Sequence, residues 1–161
     1  LGDVYKRQGQ ALLEKVNNGE ELTWDDLNDA TWAVMGPTSA SGYIYPSLWL
    51  LQRYGKGISD LDHAVESDSY TTSLARLASG QADIMVSYAH IRTKYAPEWK
   101  ETFGGTDDMI NQTGVIGVTD KIYNDMIAYS KTSETMADQD FRQALGDSFI
   151  EIAQTLSLIH I

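Results

Sequence analysis

Apolar residues alternate along the chain between short strand-like runs and longer stripes with helical spacing. Thr31–Met35 and Ala82–Tyr88 are compact apolar runs, which predict two buried strands. Tyr43–Tyr54 and Ser69–Ala78 carry apolar residues at helical spacing and end at glycine, so both are predicted to be helices. Strands that alternate with helices predict an α/β fold with a mainly parallel sheet.

Further elements follow from capping signals and weaker patterns. Thr23 and Asp26 have the spacing of a capping box, which predicts a short helical turn, and an apolar stripe over Ala137–Ala153 predicts a long final helix. The other predicted elements are helix at Ala11–Val16 and at Ile91–Phe103 with a break at Pro97, strand at Val115–Val118, strand or extended chain at Asn124–Tyr129, and a strand or helical turn at Ile58–Ala64.

Composition narrows the range of functions. The 161 residues include 23 acidic and 12 basic side chains, which give a net charge of −11 and disfavour binding to duplex nucleic acid. The chain has no cysteine, so disulfides, thiolate metal sites and a cysteine nucleophile are excluded. His63 and His90 do not have metal-ligand spacing with the acidic residues, and we expect neither a metal nor a cofactor.

The two ends of the chain have an unusual relation to each other. Residues 3–8 back-translate as GAT GTG TAT AAG AGA CAG, which resembles the transposon end used to fragment DNA for sequencing. The reverse complement of that DNA encodes Leu-Ser-Leu-Ile-His-Ile, the sequence of residues 156–161. We therefore expect residues 1–8 and 156–161 to be adapter-derived and the native segment, residues 9–155, to be truncated at both ends. The alternative for residues 156–161 is an ordinary helix tail.

The segment Gly36–Tyr43 lies between a predicted strand and a predicted helix and carries candidate chemistry. Its small residues allow a ligand to approach the backbone, while the helix N-terminus and the hydroxyls of Ser39 and Ser41 offer donors to an anion. It is neither a Walker A loop nor a nucleophile elbow. The alternative is that Ser39 or Ser41 only caps the helix.

Several segments in a fixed order carry a family resemblance. They are the Ser39-Ala40-Ser41-Gly42-Tyr43 loop with Pro46 just inside the following helix, the Gly80-Gln81-Ala82-Asp83 entry to a strand, the segment around Asp125, and the final helix with Phe141, Ala144, Phe149 and Ile152. This pattern, from Thr31 to Thr155, resembles the phosphonate/phosphate/phosphite-binding proteins of ABC importers, in the type II periplasmic-binding superfamily. The resemblance implies a bilobal α/β fold, of which the chain holds most of the second lobe and the C-terminal helix returning to the first.

The resemblance also implies ligand-binding residues. Ser39, Ala40 and Ser41 match the anion-gripping Ser-x-Ser of the family, where Ala40 replaces a frequent threonine. Tyr70 stands where many members have a histidine that contacts the ligand, and Tyr88 and His90 stand at the position of a polar or acidic contact. Asp125 matches the acidic residue of a Pro-x-Asp segment, with Tyr123 in place of the proline.

Several candidate residues also have an interpretation in which they do not bind a ligand. His90 fits a histidine at a strand end or one in solvent, Asp83 is interpreted as structural, and Arg92 as a surface helix residue rather than a bidentate oxyanion contact. The tryptophans are interpreted as core and interlobe packing; they are Trp24, Trp32, Trp49 and Trp99.

The expected organisation follows from the resemblance. Residues 9–30 would end the first lobe or cross between lobes, residues 31–118 would form the second lobe, and residues 119–155 the return crossing and terminal helix. We expect a non-catalytic, monomeric receptor at the periplasmic or extracellular face of the cytoplasmic membrane, free or lipid-anchored, that delivers an anion to an ABC permease and its ATPase. An enzyme or a sensor domain with the same bilobal fold is the alternative. Residues 9–155 alone are expected to be unstable.

Overall fold

The chain is described here by a computed structural model that covers residues 2–122 and 129–159, with side chains for residues 9–122 and 129–155. It divides into two compact units, Leu1–Ile122 and Tyr123–Ile161. The first unit contains the helices α1 (Gly2–Asn17), α2 (Trp24–Asp29), α3 (Tyr45–Tyr54), α4 (Tyr70–Ser79), α5 (Ile91–Tyr95) and α6 (Met109–Gln112). Its strands are β1 (Trp32–Val34), β2 (Ala64–Glu66) and β3 (Ile84–Met85).

The three strands form a parallel sheet with the order β2-β1-β3. Trp32 pairs with Ala64 on one side and with Ile84 on the other, which makes β1 the central strand. All three residues of β1 are buried, as expected for a strand of a parallel sheet that is covered on both faces. The predicted α/β fold with a parallel sheet is confirmed, and the predicted strand at Ala82–Tyr88 is shortened to Ile84–Met85.

Two apolar clusters cover the sheet. Trp32, Val34 and Ile84 belong to the first cluster together with Leu50 of α3. Met85 packs against the second cluster, which contains Leu74 of α4. Because successive side chains of a strand point to opposite faces, α3 and α4 lie on opposite faces of the sheet. The first unit therefore has helices on both sides of a central sheet. The loops that connect strands to helices lie at the ends of the strands.

Capping residues explain where the predicted helices begin and end. The side chain of Ser69 accepts a hydrogen bond from the amide of Thr72 at the start of α4, and Gly80 ends that helix with a φ of 73°. Thr23 and Asp26 form the predicted capping box of α2, which confirms that helical turn. The helical-turn alternative for Ile58–Ala64 is confirmed by a 3₁₀ turn at Ile58–Asp60. The strand β2 begins only at Ala64, the last residue of that range.

One prediction for the first unit is confirmed in part and another is wrong. The helix predicted at Ile91–Phe103 begins at Ile91 and ends at Tyr95, just before the predicted break at Pro97, which cannot donate to the helical hydrogen-bond ladder. It does not resume after the break, because the chain continues to residue 103 in turns. Val115–Val118 forms no strand. A Cβ added at Gly117 would lie 2.3 Å from the Trp49 ring, so this segment packs over side chains instead of joining the sheet.

The second unit contains α7 (Glu134–Ala137) and α8 (Gln139–Ile159). The predicted final helix is confirmed, although it begins two residues later than expected and extends further. Its apolar side chains Phe141, Phe149 and Ile152 are exposed. None of the described helices combines the length and apolarity that a membrane crossing requires. The strand predicted at Asn124–Tyr129 falls mostly outside the described residues.

Asp83 ties the beginnings of two neighbouring strands together. Its carboxylate accepts a hydrogen bond from the amide of Thr31 at 2.9 Å, just before β1, while Asp83 itself precedes β3. Burial raises the pKa of Asp83 above its ordinary value of 3.8, and hydrogen bonds from the amides of Thr31 and Gly9 partly oppose that effect. The structural interpretation of Asp83 is therefore confirmed, because its carboxylate binds the amide of Thr31 next to the neighbouring strand β1.

Asp83 should make stability depend on pH in a direction opposite to that of a salt-bridged carboxylate. Because its pKa is higher in the folded than in the unfolded chain, its favourable contribution is present below pH 3.8 and is lost as pH rises through the folded value. Relative to Asp83→Asn, the wild type is therefore expected to lose stability between about pH 4 and pH 7. Urea unfolding of both proteins at these two pH values measures the difference, and an equal or opposite change would contradict the prediction.

Candidate functional site

The candidate residues lie at the edge where the parallel strands end. The helix α3, which follows β1, lies on one face of the sheet, and α4, which follows β2, lies on the other. The strands β2 and β3 lie on opposite sides of β1. Such a reversal of strand order opens a crevice at the carboxyl ends of the strands, which is where α/β sheets bind ligands. Ser39 and Ser41 follow β1, Tyr70 begins the helix that follows β2, and Tyr88 follows β3.

The loop after β1 leads into a π-helical turn, Ala40–Ile44, that continues directly as α3. The hydroxyl of Ser39 accepts a hydrogen bond from the amide of Gly42 at 3.2 Å, so Ser39 caps this turn. The amides of Ala40 and Ser41, at the first positions of this turn, have no hydrogen-bond acceptor among the described residues. The loop therefore offers two backbone donors at its surface.

Ser41 has a different role from Ser39. Its hydroxyl lies 2.8 Å from the hydroxyl of Tyr70, and that of Ser39 lies 3.5 Å from the same phenol oxygen. All three side chains are half-buried. Capping of the helix thus does not account for the position of Ser41. The structure brings three candidate residues together, and we call Ser39, Ser41 and Tyr70 the hydroxyl cluster.

The loop before α4 holds Tyr70 in place. Arg76 donates hydrogen bonds to the carbonyl of Glu66 and to the hydroxyl of the buried Ser67, which fixes the end of β2 against α4. Asp68 accepts a hydrogen bond from Thr72 at 2.6 Å, and this bond lowers the pKa of Asp68. Tyr70 follows as the first residue of α4, and its position depends on this network.

Tyr88 extends the cluster with an aromatic contact and a nearby cation. Its ring meets the ring of Tyr70 edge to face, with 5.2 Å between centroids. The phenols of Tyr88 and then Tyr95 raise the pKa of Lys94, whose ammonium lies 5.1 Å from the centre of the Tyr95 ring. Lys94 forms no ion pair with any described carboxylate. Lys94 is not among the residues predicted from the sequence, because no motif marks a single lysine on the helix after β3.

Other candidates do not join the hydroxyl cluster. The side chain of His90 is exposed and forms no hydrogen bond with a described residue, in agreement with its solvated interpretation. Arg92 is half-buried, and its guanidinium donates to the carbonyls of Ile110 and Thr113, so it ties α5 to α6 instead of facing solvent. Asp125 lies outside the described residues.

The four tryptophans lie in two kinds of environment. Trp32 and Trp99 are buried, as predicted for core residues, whereas Trp24 and Trp49 are half-buried beneath Lys56 and Arg53. Within the described part of the chain, no group of three or more His, Asp or Glu side chains is arranged to hold a metal ion.

Comparison with known proteins identifies a family. A family model described as "ABC transporter, phosphonate, periplasmic substrate-binding protein" matches residues 11–158, which is most of the chain. No curated protein and no solved structure gives a significant match. The matched region includes the β1–α3 loop, Tyr70, Tyr88, Lys94 and the segment that contains Asp125.

Proposed function

The chain belongs to the family of phosphonate-binding periplasmic components of ABC transporters, and on that premise we propose that it captures a phosphonate, phosphate or phosphite anion at the β1–α3 loop. The family is a substrate-binding component of transport systems that acts outside the cytoplasm, so a small-molecule ligand and membrane transporter partners follow from membership. The identity of the anion, its contacts and its delivery to a permease are the proposed parts.

The observation that carries the proposal is the hydroxyl cluster of Ser39, Ser41 and Tyr70 beside two free backbone amides. Oxyanions accept several hydrogen bonds at once, and a helix start supplies amide donors together with the positive end of its dipole. Because this cluster lies at the carboxyl ends of parallel strands, an anion could approach it from the crevice. Neutral donors of this kind are suited to an oxyanion that must later be released.

Charge near the cluster supports the same ligand class. Lys94 interacts electrostatically with the phenol of Tyr88, and its ammonium would add attraction for an anion. The net charge of −11 does not oppose binding, because exposed charges are screened within about 10 Å at ordinary ionic strength. We further propose that Asp125 accepts a hydrogen bond from a protonated phosphoryl oxygen or a ligand amino group, and so selects protonated forms.

Delivery of the anion would follow the closure mechanism of two-lobed receptors. Closure of two lobes around the anion would bury the ligand and present a closed surface to the permease. His90, near the same sheet edge, is proposed as a contact that forms only in that closed state. We propose a monomeric receptor, since nothing in this function requires a second copy.

Calorimetric titration with phosphate, phosphite and methylphosphonate tests the proposed ligand class. We expect at least one of the three to bind, and Ser41→Ala to weaken that binding by about tenfold, the change expected from loss of one charge-assisted hydrogen bond. Lys94→Gln should weaken anion binding by a smaller factor, and that factor should be larger at low salt than at high salt.

Thr38→Ala is the matched control for these variants. Thr38 lies in the same loop, is exposed, and forms no hydrogen bond with any described residue, so its replacement should leave affinity unchanged. Failure of all three anions to bind the wild type would reject the proposed ligand class. Binding that is equally strong in the wild type and in Ser41→Ala would reject the proposed location.

A further inference from the structure

We propose that the outer side of α3 forms a second binding site, which takes a small zwitterion with an apolar side chain, such as a free α-amino acid. A cavity of about 250 Å³, open to solvent, lies between α3 and residues 118–120. Its wall includes Leu48, Trp49, Arg53, Val118 and Asp120. The volume is just below the range of about 300–1,000 Å³ that is usual for sites of drug-sized ligands, so the cavity suits a smaller metabolite.

The cavity exists because the chain after α6 passes close to α3. Gly117 has no side chain, and an added Cβ would lie 2.3 Å from the ring of Trp49. The neighbouring Ile116 packs against the first apolar cluster. These two contacts hold the following residues, Val118 and Asp120 among them, beside the outer side of α3.

Two opposite charges line the cavity without meeting. Arg53 belongs to the last turn of α3, and its guanidinium forms no ion pair with a described carboxylate. Asp120 lines the same cavity and forms no ion pair with a described cation. A ligand that carries a carboxylate and an ammonium group a few bonds apart can bind both charges at once. An α-amino acid has this arrangement.

The contact of Arg53 with Trp49 prepares the guanidinium for a carboxylate. Its central carbon lies 4.9 Å from the centre of the indole ring, so the guanidinium is held against the aromatic surface. A guanidinium has five donors in a planar fork, and two of them can bind the two oxygens of a carboxylate. Lys56 lies over Trp24 in a similar way at 4.8 Å, but it does not line the cavity. Lys56 is therefore a matched control for Arg53.

The apolar surface beside the two charges indicates the side chain of the ligand. Leu48 is 46% exposed and Val118 is 76% exposed, and Trp49 adds a half-buried aromatic wall. An aliphatic side chain that covers these residues removes apolar surface from water, which a polar side chain does not do. The preferred amino acid is therefore aliphatic, and leucine is the probe that we choose.

Calorimetric titration with L-leucine tests the site. We expect a dissociation constant below about 1 mM, and we expect Arg53→Gln and Asp120→Asn each to weaken binding by about tenfold. Lys56→Gln should leave the affinity for leucine unchanged. All three side chains are exposed, so these variants should fold like the wild type. No binding at about 10 mM leucine, or equal binding by the wild type and Arg53→Gln, would overturn the proposal.

Two analogues of leucine identify the charge that each residue binds. N-acetylleucine lacks the ammonium group, and leucinamide lacks the carboxylate, so both should bind the wild type about tenfold more weakly than leucine. In Asp120→Asn, leucine and N-acetylleucine should bind within about twofold of each other, and in Arg53→Gln the same should hold for leucine and leucinamide. An undiminished preference for leucine over N-acetylleucine in Asp120→Asn would contradict the proposed site.

A spectroscopic readout separates this site from the proposed anion site. Leucine should shift the indole ¹⁵N–¹H signal of Trp49, which is the signal that disappears in Trp49→Phe. Arg53→Gln should bind phosphate, phosphite or methylphosphonate as the wild type does, because Arg53 lies in the last turn of α3 and the serines of the hydroxyl cluster precede its first turn. If none of these anions binds, the proposed function fails and the leucine site is judged by its own titration. Leucine binding that is weakened by Ser41→Ala and not by Arg53→Gln would overturn this inference.

Discussion

Gly42→Ala is expected to lower the free energy of unfolding by about 2–3 kcal/mol, the range for inserting a methyl group into a tightly packed position. An added Cβ would lie 2.2 Å from Cγ and 2.5 Å from Cβ of Met35, and 2.9 Å from the hydroxyl of Ser39. Met35 adjoins β1, and its amide donates to the carbonyl of Gly42 at 3.0 Å. The methyl group must therefore push the start of the π-helical turn away from the strand.

The same change is expected to weaken anion binding by at least about tenfold, because a displacement of about 1 Å is sufficient to spoil a positioned donor set. Gly42 donates to Ser39 and lies inside the π-helical turn that leads into α3. Urea unfolding measures the loss of stability, and calorimetry with the anion that binds best measures the loss of affinity. Met35→Ala should rescue the variant only in part, since it removes the Cγ contact and keeps the Cβ contact.

Gly146→Ala is the control for this prediction. Gly146 lies inside α8 with nothing within 4 Å of an added Cβ, so alanine there should stabilise the helix by about 0.5–1 kcal/mol through its higher helix propensity. Equal stability of the wild type and Gly42→Ala would contradict the close approach of the loop to Met35. A large loss of stability in Gly146→Ala would instead contradict the structure of α8.

Local signals in the sequence predicted the fold wherever the determinant was local. The Ser69 cap and the left-handed Gly80 define α4 within a single stretch of chain, and the buried runs define β1 and β3. The strand predicted at Val115–Val118 does not form, because this segment packs against side chains of other elements. Gly114 approaches Leu13 of α1 and Gly117 approaches Trp49 of α3, and propensity carries no information about such contacts.

The site shows the same division between local and distant determinants. The sequence identified Ser39, Ser41 and Tyr70 one by one, and a parallel sheet explains why loops about 30 residues apart in the chain meet at one edge. It could not predict that the phenol would lie between the two serines, since this depends on how Arg76 and the Ser69 cap orient α4. Nor could spacing predict that Lys94 would reach Tyr88.

Trp32→Ala is expected to cost about 3–5 kcal/mol of stability, the usual range for removing a buried tryptophan, and so to unfold much or all of the protein. Trp32 is 2% exposed at the centre of the first apolar cluster. Its indole nitrogen donates to the carbonyl of Leu27 at 2.7 Å. The residue thus joins α2 to the central strand by both packing and a buried hydrogen bond.

Trp32→Phe and Trp24→Ala separate these two contributions. Phenylalanine retains much of the packed volume and leaves the Leu27 carbonyl without its donor, which should cost about 1–3 kcal/mol. Trp24 is only half-buried, against Tyr54 and beneath Lys56, so its replacement by alanine should cost less than that of Trp32. Urea unfolding followed by circular dichroism compares the variants. Equal losses for Trp24→Ala and Trp32→Ala would contradict a core centred on β1, because truncation at a rim position leaves no enclosed cavity.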